Sequence, residues 1–408
     1  MTKNAAYAAR KEARSVTLIR RLTCSRIKDI RISKGITMEL YIHIPFCARK
    51  CSYCDFLSFA GKESCIEKYG EALLRDIRSH GGFLLKDTSV SSIYIGGGTP
   101  SLMPEGFYER LLAEIKVSFT LQKDVEISIE CNPGTVNPDK LKEYRIAGIN
   151  RISFGTQSAD DRELQLLGRI HTWKDCVQSV HMAREAGFDN INIDLMMNLP
   201  GQTKDTFART LAEAISLAPE HISAYSLILE EGTAFYEQYA GHPELLPDDA
   251  QAAETYETAV RILAEAGYGQ YEISNFAKPG RECRHNIGYW RREEYLGIGI
   301  GAASLLDECR YRVETDLEGY LGALTYEPAE HLSENDIRDE AVMLGLRMNE
   351  GISVSELNER FGSTYAQSFT GKMKNYVSQG LAFSRNGRYG LTVRGMLVSN
   401  SIIVDLME

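Results

Sequence analysis

Cys47-Ala48-Arg49-Lys50-Cys51-Ser52-Tyr53-Cys54 is the stretch that decides how the rest of the chain is read. Three thiols fall within one short loop, directly after the apolar run Leu40-Tyr41-Ile42-His43-Ile44. Thiolates this close repel one another unless a cation stands between them, so the spacing points to a soft metal centre whose loading is coupled to local order. Structural zinc closes with four ligands, and no second cysteine pair of zinc-ribbon spacing exists. A [4Fe–4S] cluster on three protein thiolates keeps one iron open. The bland alternatives are zinc completed by a distant histidine, or three free thiols.

Outward from this loop, strand-like and helix-like runs alternate. Residues 40–46, 92–97, 125–130, 151–155, 191–196 and 222–228 read as strands. They show little alternation, which suits parallel strands covered on both faces. Helical runs at 65–79, 105–116, 138–147, 172–186 and 204–217 lie between them. Asp160 and Thr203 are candidate N-caps, and Gly148 and Gly187 candidate stops. The repeat predicts an α/β fold, a partial (β/α)6-type barrel with right-handed crossovers, whose chemistry sits at the C-terminal strand ends. Residues 249–267 read as a further helix and 271–333 as a loop-rich connecting region. From 334 to 408 the texture changes. Three helical runs precede two short strands around Asn386-Gly387, a hairpin signal, and together they resemble a winged helix.

The composition is that of an ordinary globular chain, 408 residues with 43% hydrophobic and 25% charged. No run approaches the roughly 20 apolar residues of a membrane span. Net charge is −10, yet residues 1–37 carry ten Lys/Arg against two Asp/Glu. This head lacks a secretory signal's apolar stretch. An organelle transit peptide is one reading; the preferred one is a dispensable extension, with Met38 as a natural start. The acidic body argues against nucleic acid as a partner. Lys372, Lys374, Arg385, Arg388 and Arg394 make the wing basic, which suits a phosphate-led contact, a lid over the barrel mouth, or a partner or membrane surface. Nine cysteines without a signal peptide suit a reducing cytoplasm better than a disulfide framework.

The triplet is similar to the Cys-x3-Cys-x2-Cys signature of the radical S-adenosylmethionine (SAM) superfamily, with Tyr53 as the aromatic before the last cysteine. Gly96-Gly97-Gly98-Thr99-Pro100 resembles that superfamily's GGGTP motif. The resemblance implies that Cys47, Cys51 and Cys54 hold a [4Fe–4S] cluster and that the open iron chelates SAM. It places the SAM amino group on the backbone around Gly97, Gly98 and Thr99, and the ribose on Glu130. Gln157, Arg169 and Asp194, near strand ends or following loops, and Tyr41, in the first strand, are further cofactor-binding expectations. An Arg169–Asp194 salt bridge is the structural alternative.

Within the superfamily, residues 40–408 resemble the coproporphyrinogen-dehydrogenase-like branch, through Tyr41-Ile-His-Ile-Pro-Phe-Cys47, Glu130-Cys-Asn-Pro-Gly-Thr135, Leu167-Gly-Arg-Ile-His171 and Leu199-Pro-Gly-Gln-Thr203. The dehydrogenases carry a further cysteine where this chain has Phe56. Phe56 and His285-Asn286-Ile-Gly-Tyr289-Trp290 are instead similar to the sister group, the HemW heme chaperones. That resemblance implies heme as a third cofactor, delivery of heme to respiratory membrane proteins, homodimerisation, and a cytoplasmic location that is peripheral to the inner membrane. His285 is the first candidate for the heme iron ligand; packing of the loop onto the barrel is its alternative. Oxygen-independent coproporphyrinogen III oxidation, or another radical transformation, is the competing activity. Two departures stand out: Asn198 replaces an expected glycine before Leu199, and Ala303 an expected histidine.

Overall fold

A computed structural model describes residues 37–81 and 88–407. The segment read as dispensable therefore lies outside the described residues, save Thr37. Six strands run parallel in sequence order: β1 (Thr37–Ile44), β2 (Ser89–Gly97), β3 (Thr120–Cys131), β4 (Arg151–Gln157), β5 (Ile191–Met197) and β6 (His221–Ser226). Met38 is 1% exposed within β1. Helices Ile66–Gly81, Phe107–Ser118, Pro138–Ala147, Trp173–Glu185 and Lys204–Ser216 connect them. The caps follow the sequence. Asp160 accepts from the Arg162 amide, Thr203 forms a reciprocal capping box with Thr206, and Gly148 ends its helix at φ 114°.

The strands alternate more than the sequence suggested. Leu40, Ile42 and Ile44, Ile93 and Ile95, Ile127 and Ile129, Ile152 and Phe154, and Ile193 and Leu195 are buried in the apolar core. The opposite set is polar: Glu39 and His43, Ser92 and Tyr94, Ser128 and Glu130, Arg151 and Ser153, Asn192 and Asp194, Ser223 and Tyr225. A strand turns successive side chains to opposite faces, so one face seals against helices and the other gives the barrel a polar interior. The inward set holds Ser, Tyr and His, which blurs the period in the sequence.

Residues 271–333, expected as a loop-rich connector, instead build both edges of the sheet. Gly269–Glu272 and Asn275–Ala277 extend it beyond β6, while Tyr295–Ile298, Ala303–Leu306, Cys309–Arg312 and Glu330–His331 extend it beyond β1. These strands are four residues or fewer, too short to carry a readable period. The twelve-stranded order does not close on itself, as a partial barrel requires.

The barrel floor is a buried network. The Glu126 carboxylate accepts the amides of Arg284 and His285, fixing the start of helix Arg284–Trp290. His285 Nδ1 shares a 2.8 Å hydrogen bond with Ser92 Oγ, and its ring stacks on Tyr94 at 5.1 Å. Glu39 Oε2 lies 3.7 Å from His285 Nδ1. Burial pushes the Glu39 carboxyl up to about 9 and the His285 imidazole down to about 3. The approach is therefore one of neutral groups near pH 7, not an ion pair.

The C-terminal unit has the winged-helix arrangement. Helices Glu334–Gly345, Val354–Phe361 and Ser363–Ser378 precede the hairpin Ala382–Arg385/Arg388–Leu391, whose turn residues Asn386 and Gly387 both have positive φ. Ile352–Ser353 completes its three-stranded sheet. The unit does not lid the mouth. It docks beside the floor, where the Asn349 amide donates to Tyr271, Arg291 pairs with Glu350 and Arg347 lies over Trp290. Arg388, counted as a basic wing residue, bonds the Glu350 and Gly351 carbonyls and lies 3.6 Å from Glu356.

Glu39 sets a pH dependence. Its folded-state value is raised, so its contribution is present below the ordinary carboxyl range and is lost as pH rises toward 9. Glu130 and Glu272, each raised to about 7, are already ionised above pH 7.5. Thermal melts between pH 7.5 and 9 should show stability falling by roughly 1 kcal/mol per pH unit, with the fall flattened in Glu39→Gln. Equal slopes would contradict this.

Candidate functional site

The C-terminal ends of the parallel strands surround a cavity of about 490 Å³, within the ~300–1,000 Å³ usual for small-molecule sites. Cys47, Cys51 and Cys54 line it together with Tyr53, Gly97, Gly98, Thr99, Glu130, Gln157, Arg169 and Asp194. Of the residues expected from sequence, Tyr41 and His285 do not. Tyr41 sits in β1 opposite Tyr94, and its hydroxyl shares a 2.9 Å hydrogen bond with His43 Nδ1. His285 is enclosed in the floor at 1% exposure. Its Nε2 has no partner there, and no iron reaches it unless the floor opens. The placement thus favours the packing role over heme ligation.

The cysteine loop is pinned from several sides. His43 Nε2 shares a 2.9 Å hydrogen bond with the Leu57 carbonyl, the Ser52 amide donates to Leu167, and Arg49 Nε donates to Gly168. Gly97 and Gly98 let the next loop approach it. A Cβ at Gly97 would lie 2.6 Å from the His43 ring, and one at Gly98 would lie 3.0 Å from Cys47 Sγ. The Gly97 amide donates to Glu130 Oε2, and Tyr94 donates to Oε1 at 2.9 Å. Burial and then the nearby Asp194 raise the Glu130 carboxyl to about 7.

Arg169 and Asp194 do not form the salt bridge considered from sequence. Asp194 accepts from Ser153 and Asn192. Arg169 donates to Cys51 Sγ at 3.3 Å, to Asn132 Oδ1 at 2.6 Å and to the Gly155 carbonyl. Asn132 Nδ2 in turn donates to Thr99 Oγ1 at 2.8 Å, and the Thr99 hydroxyl faces Cys47 Sγ at 3.6 Å. A single chain of hydrogen bonds thus joins two of the three thiols. Asn132 was not singled out from sequence, although it stands two residues after Glu130 in the same motif. Tyr225 was also missed; it donates to Gln157 Oε1 at 2.6 Å, and Gln157 adopts φ 70°.

Of the two departures, Asn198 adopts φ 63° and donates to Ser226. It keeps the left-handed backbone a glycine would supply, and its side chain does not bond Asp194. Ala303 lies in the short strand Ala303–Leu306 and does not line the cavity.

These residues fit an iron–sulfur centre and a charged nucleotide. Burial and the adjacent Cys51 and Cys47 raise the Cys54 thiol, so a cation is needed to hold it as a thiolate. Arg169 Nε is buried without a partner, a donor left for a ligand, and Gly98 keeps the space beside Cys47 open. Among the described residues no three His, Cys, Asp or Glu side chains enclose a single bare ion.

Comparison with known proteins agrees. The profile of the radical SAM superfamily matches residues 41–214, and that of the HemN C-terminal domain matches residues 332–398. The heme chaperone HemW of Lactococcus lactis is 35% identical over 89% of this chain and 95% of its own length. That of Bacillus subtilis is 35% identical over 89% and 97%. The chain belongs to the HemW family. Membership of the radical SAM superfamily implies SAM and a [4Fe–4S] cluster as cofactors. A solved structure described as coproporphyrinogen III oxidase (HemN) from Escherichia coli shares the fold, with a TM-score of 0.80 at 24% identity over 93% of this chain and 92% of that one. Among the described residues no helix is long and apolar enough to cross a membrane.

Replacing Asn132 by Leu removes the link between Arg169 and Thr99. The iron and sulfide retained on desalting after anaerobic reconstitution should fall severalfold, with the far-ultraviolet dichroism unchanged; full retention would show that the chain of hydrogen bonds does not support the thiols.

Proposed function

We propose that the chain is a heme chaperone that binds heme beside a SAM-ligated [4Fe–4S] cluster and delivers it to respiratory membrane proteins from the cytoplasmic side, peripheral to the membrane and as a homodimer. The observation that carries the site is the meeting of three thiols, the Gly97-Gly98 backbone and the Glu130 carboxylate in one cavity at the strand ends. Heme delivery rests on the family, whose members are named heme chaperones. In this reading Cys47, Cys51 and Cys54 hold the cluster. When bound, it supplies an open iron for SAM and one-electron reducing power.

The protein's part is to bind, orient and exclude water. The backbone at Gly97 to Thr99 takes the SAM amino group. Glu130 takes the ribose hydroxyls, oriented by Tyr94 and the Gly97 amide. Arg169, held by Asn132 and Gly155, presents its guanidinium to the carboxylate side. Gln157, fixed by Tyr225, and Asp194, fixed by Ser153 and Asn192, complete the polar wall. Tyr53, half-buried beside Cys54, helps close the site against water; desolvation keeps its phenol protonated. Tyr41 acts through His43, which ties the segment after the cysteine loop to β1.

Two measurements test this. Heme titrated into the anaerobically reconstituted protein should give a saturable Soret band at one site per chain, while coproporphyrinogen III with SAM and reductant should yield no protoporphyrinogen IX. Turnover without saturable heme binding would reverse the assignment to the oxidase activity. SAM affinity should rise up to about tenfold from pH 6 to pH 8, because only the ionised Glu130 carboxylate accepts both hydroxyls and its carboxyl is raised to about 7. Calorimetry on Glu130→Gln should show weaker binding without that rise.

A further inference from the structure

Large apolar side chains exposed one at a time are ordinary; apolar surface gathered around an opening marks a contact. Phe56 and Ile228, 69% and 67% exposed, both line the mouth of the cysteine cavity. Ile170, 57% exposed, borders the recess next to it, which shares Arg49, Cys51, Thr99, Asn132 and Arg169 with the main cavity. These three come from different parts of the chain: the cysteine loop, the loop after helix Asp161–Leu166, and the loop after β6. No internal packing need explains them, since each points its surface to water. The winged-helix unit, docked near the floor, leaves this margin uncovered, and among the described residues none from it lines the cavity.

The margin carries charges of both signs. Arg49 and Lys50, both exposed, stand on the turn between Cys47 and Cys51, and the Arg49 Nε bond to the Gly168 carbonyl holds that side chain at the recess. Asp55 and Glu230 line the mouth close to Phe56 and Ile228 in sequence. A ligand that is flat and apolar, with anionic groups confined to one edge, meets apolar contact from Phe56, Ile228 and Ile170. Its anionic edge is drawn to Arg49 and Lys50 and turned from Asp55 and Glu230. Heme, an apolar macrocycle with two carboxylates on one edge, has that chemistry.

We propose that heme docks on this margin, over the mouth of the cluster cavity, and not at helix Arg284–Trp290, whose histidine is enclosed in the barrel floor. The proposal rests on the heme-chaperone reading and assigns that reading its surface. It also accounts for Phe56, which becomes an apolar contact at the lip where a fourth thiol would otherwise stand.

The test uses the full chain, reconstituted anaerobically and saturated with SAM. Hemin affinity is followed at the Soret band in the parent, in Phe56→Asp/Ile228→Asp and in Lys50→Glu. The double variant should bind hemin at least tenfold more weakly while cluster absorbance is retained. Lys50→Glu should weaken hemin severalfold and leave hemin dimethyl ester, which lacks the carboxylates, unchanged. If the double variant does not load its cluster, Ile228→Asp alone, outside the cysteine loop, carries the test. Hemin affinity within twofold of the parent in a cluster-loaded variant overturns the proposal and leaves the chaperone reading intact. Absence of saturable hemin binding by the parent removes the chaperone reading itself.

Discussion

Three thiols on one turn cannot all be ionised unless positive charge lies among them, and the rest of the site is arranged around that constraint. The loop carrying them is tied to β1 through His43 and to the Leu167–Gly168 turn through Ser52 and Arg49. Arg169 brings a buried guanidinium to Cys51, with Asn132 setting its angle and that of Thr99. Burial and the neighbouring Cys51 and Cys47 raise the Cys54 thiol, so metal loading is what keeps it anionic.

The barrel underneath is polar for the same reason. Glu130 and Asp194 near the mouth, and Glu39, Glu126, Arg151 and His285 toward the floor, occupy a space that most cores fill with Val and Leu. The cost is met by hydrogen bonds and by neutralisation: Glu39 and His285 are held uncharged by burial, and Glu126 caps a helix start. Helix Arg284–Trp290 plugs the floor, so the cavity opens at one end of the barrel. The winged-helix unit buttresses that plug from outside through Arg347 over Trp290 and the Arg291–Glu350 pair.

Much of this was legible in the sequence, for physical reasons. Parallel strands, their caps at Asp160 and Thr203, and the Asn386-Gly387 hairpin depend on local chemistry. The cysteine and glycine loops depend on spacing that the chemistry of the ligand demands. What was not legible depends on distance. Asn132 and Arg169 meet only because β3 and β4 are neighbours. The edge strands in 271–333 are too short to show a period. His285 looked like a ligand because an exposed and an enclosed imidazole are alike in sequence. The contacts with Ser92, Tyr94 and Glu126 favour the packing role.

The most direct test of the central claim is iron, sulfide and zinc analysis of protein reconstituted anaerobically, with electron paramagnetic resonance of the reduced form before and after adding SAM. The account predicts stoichiometric iron and sulfide, a reduced-cluster signal altered by SAM, and loss of both in Cys47→Ala, Cys51→Ala and Cys54→Ala. Zinc in place of iron, or a signal indifferent to SAM, would contradict it.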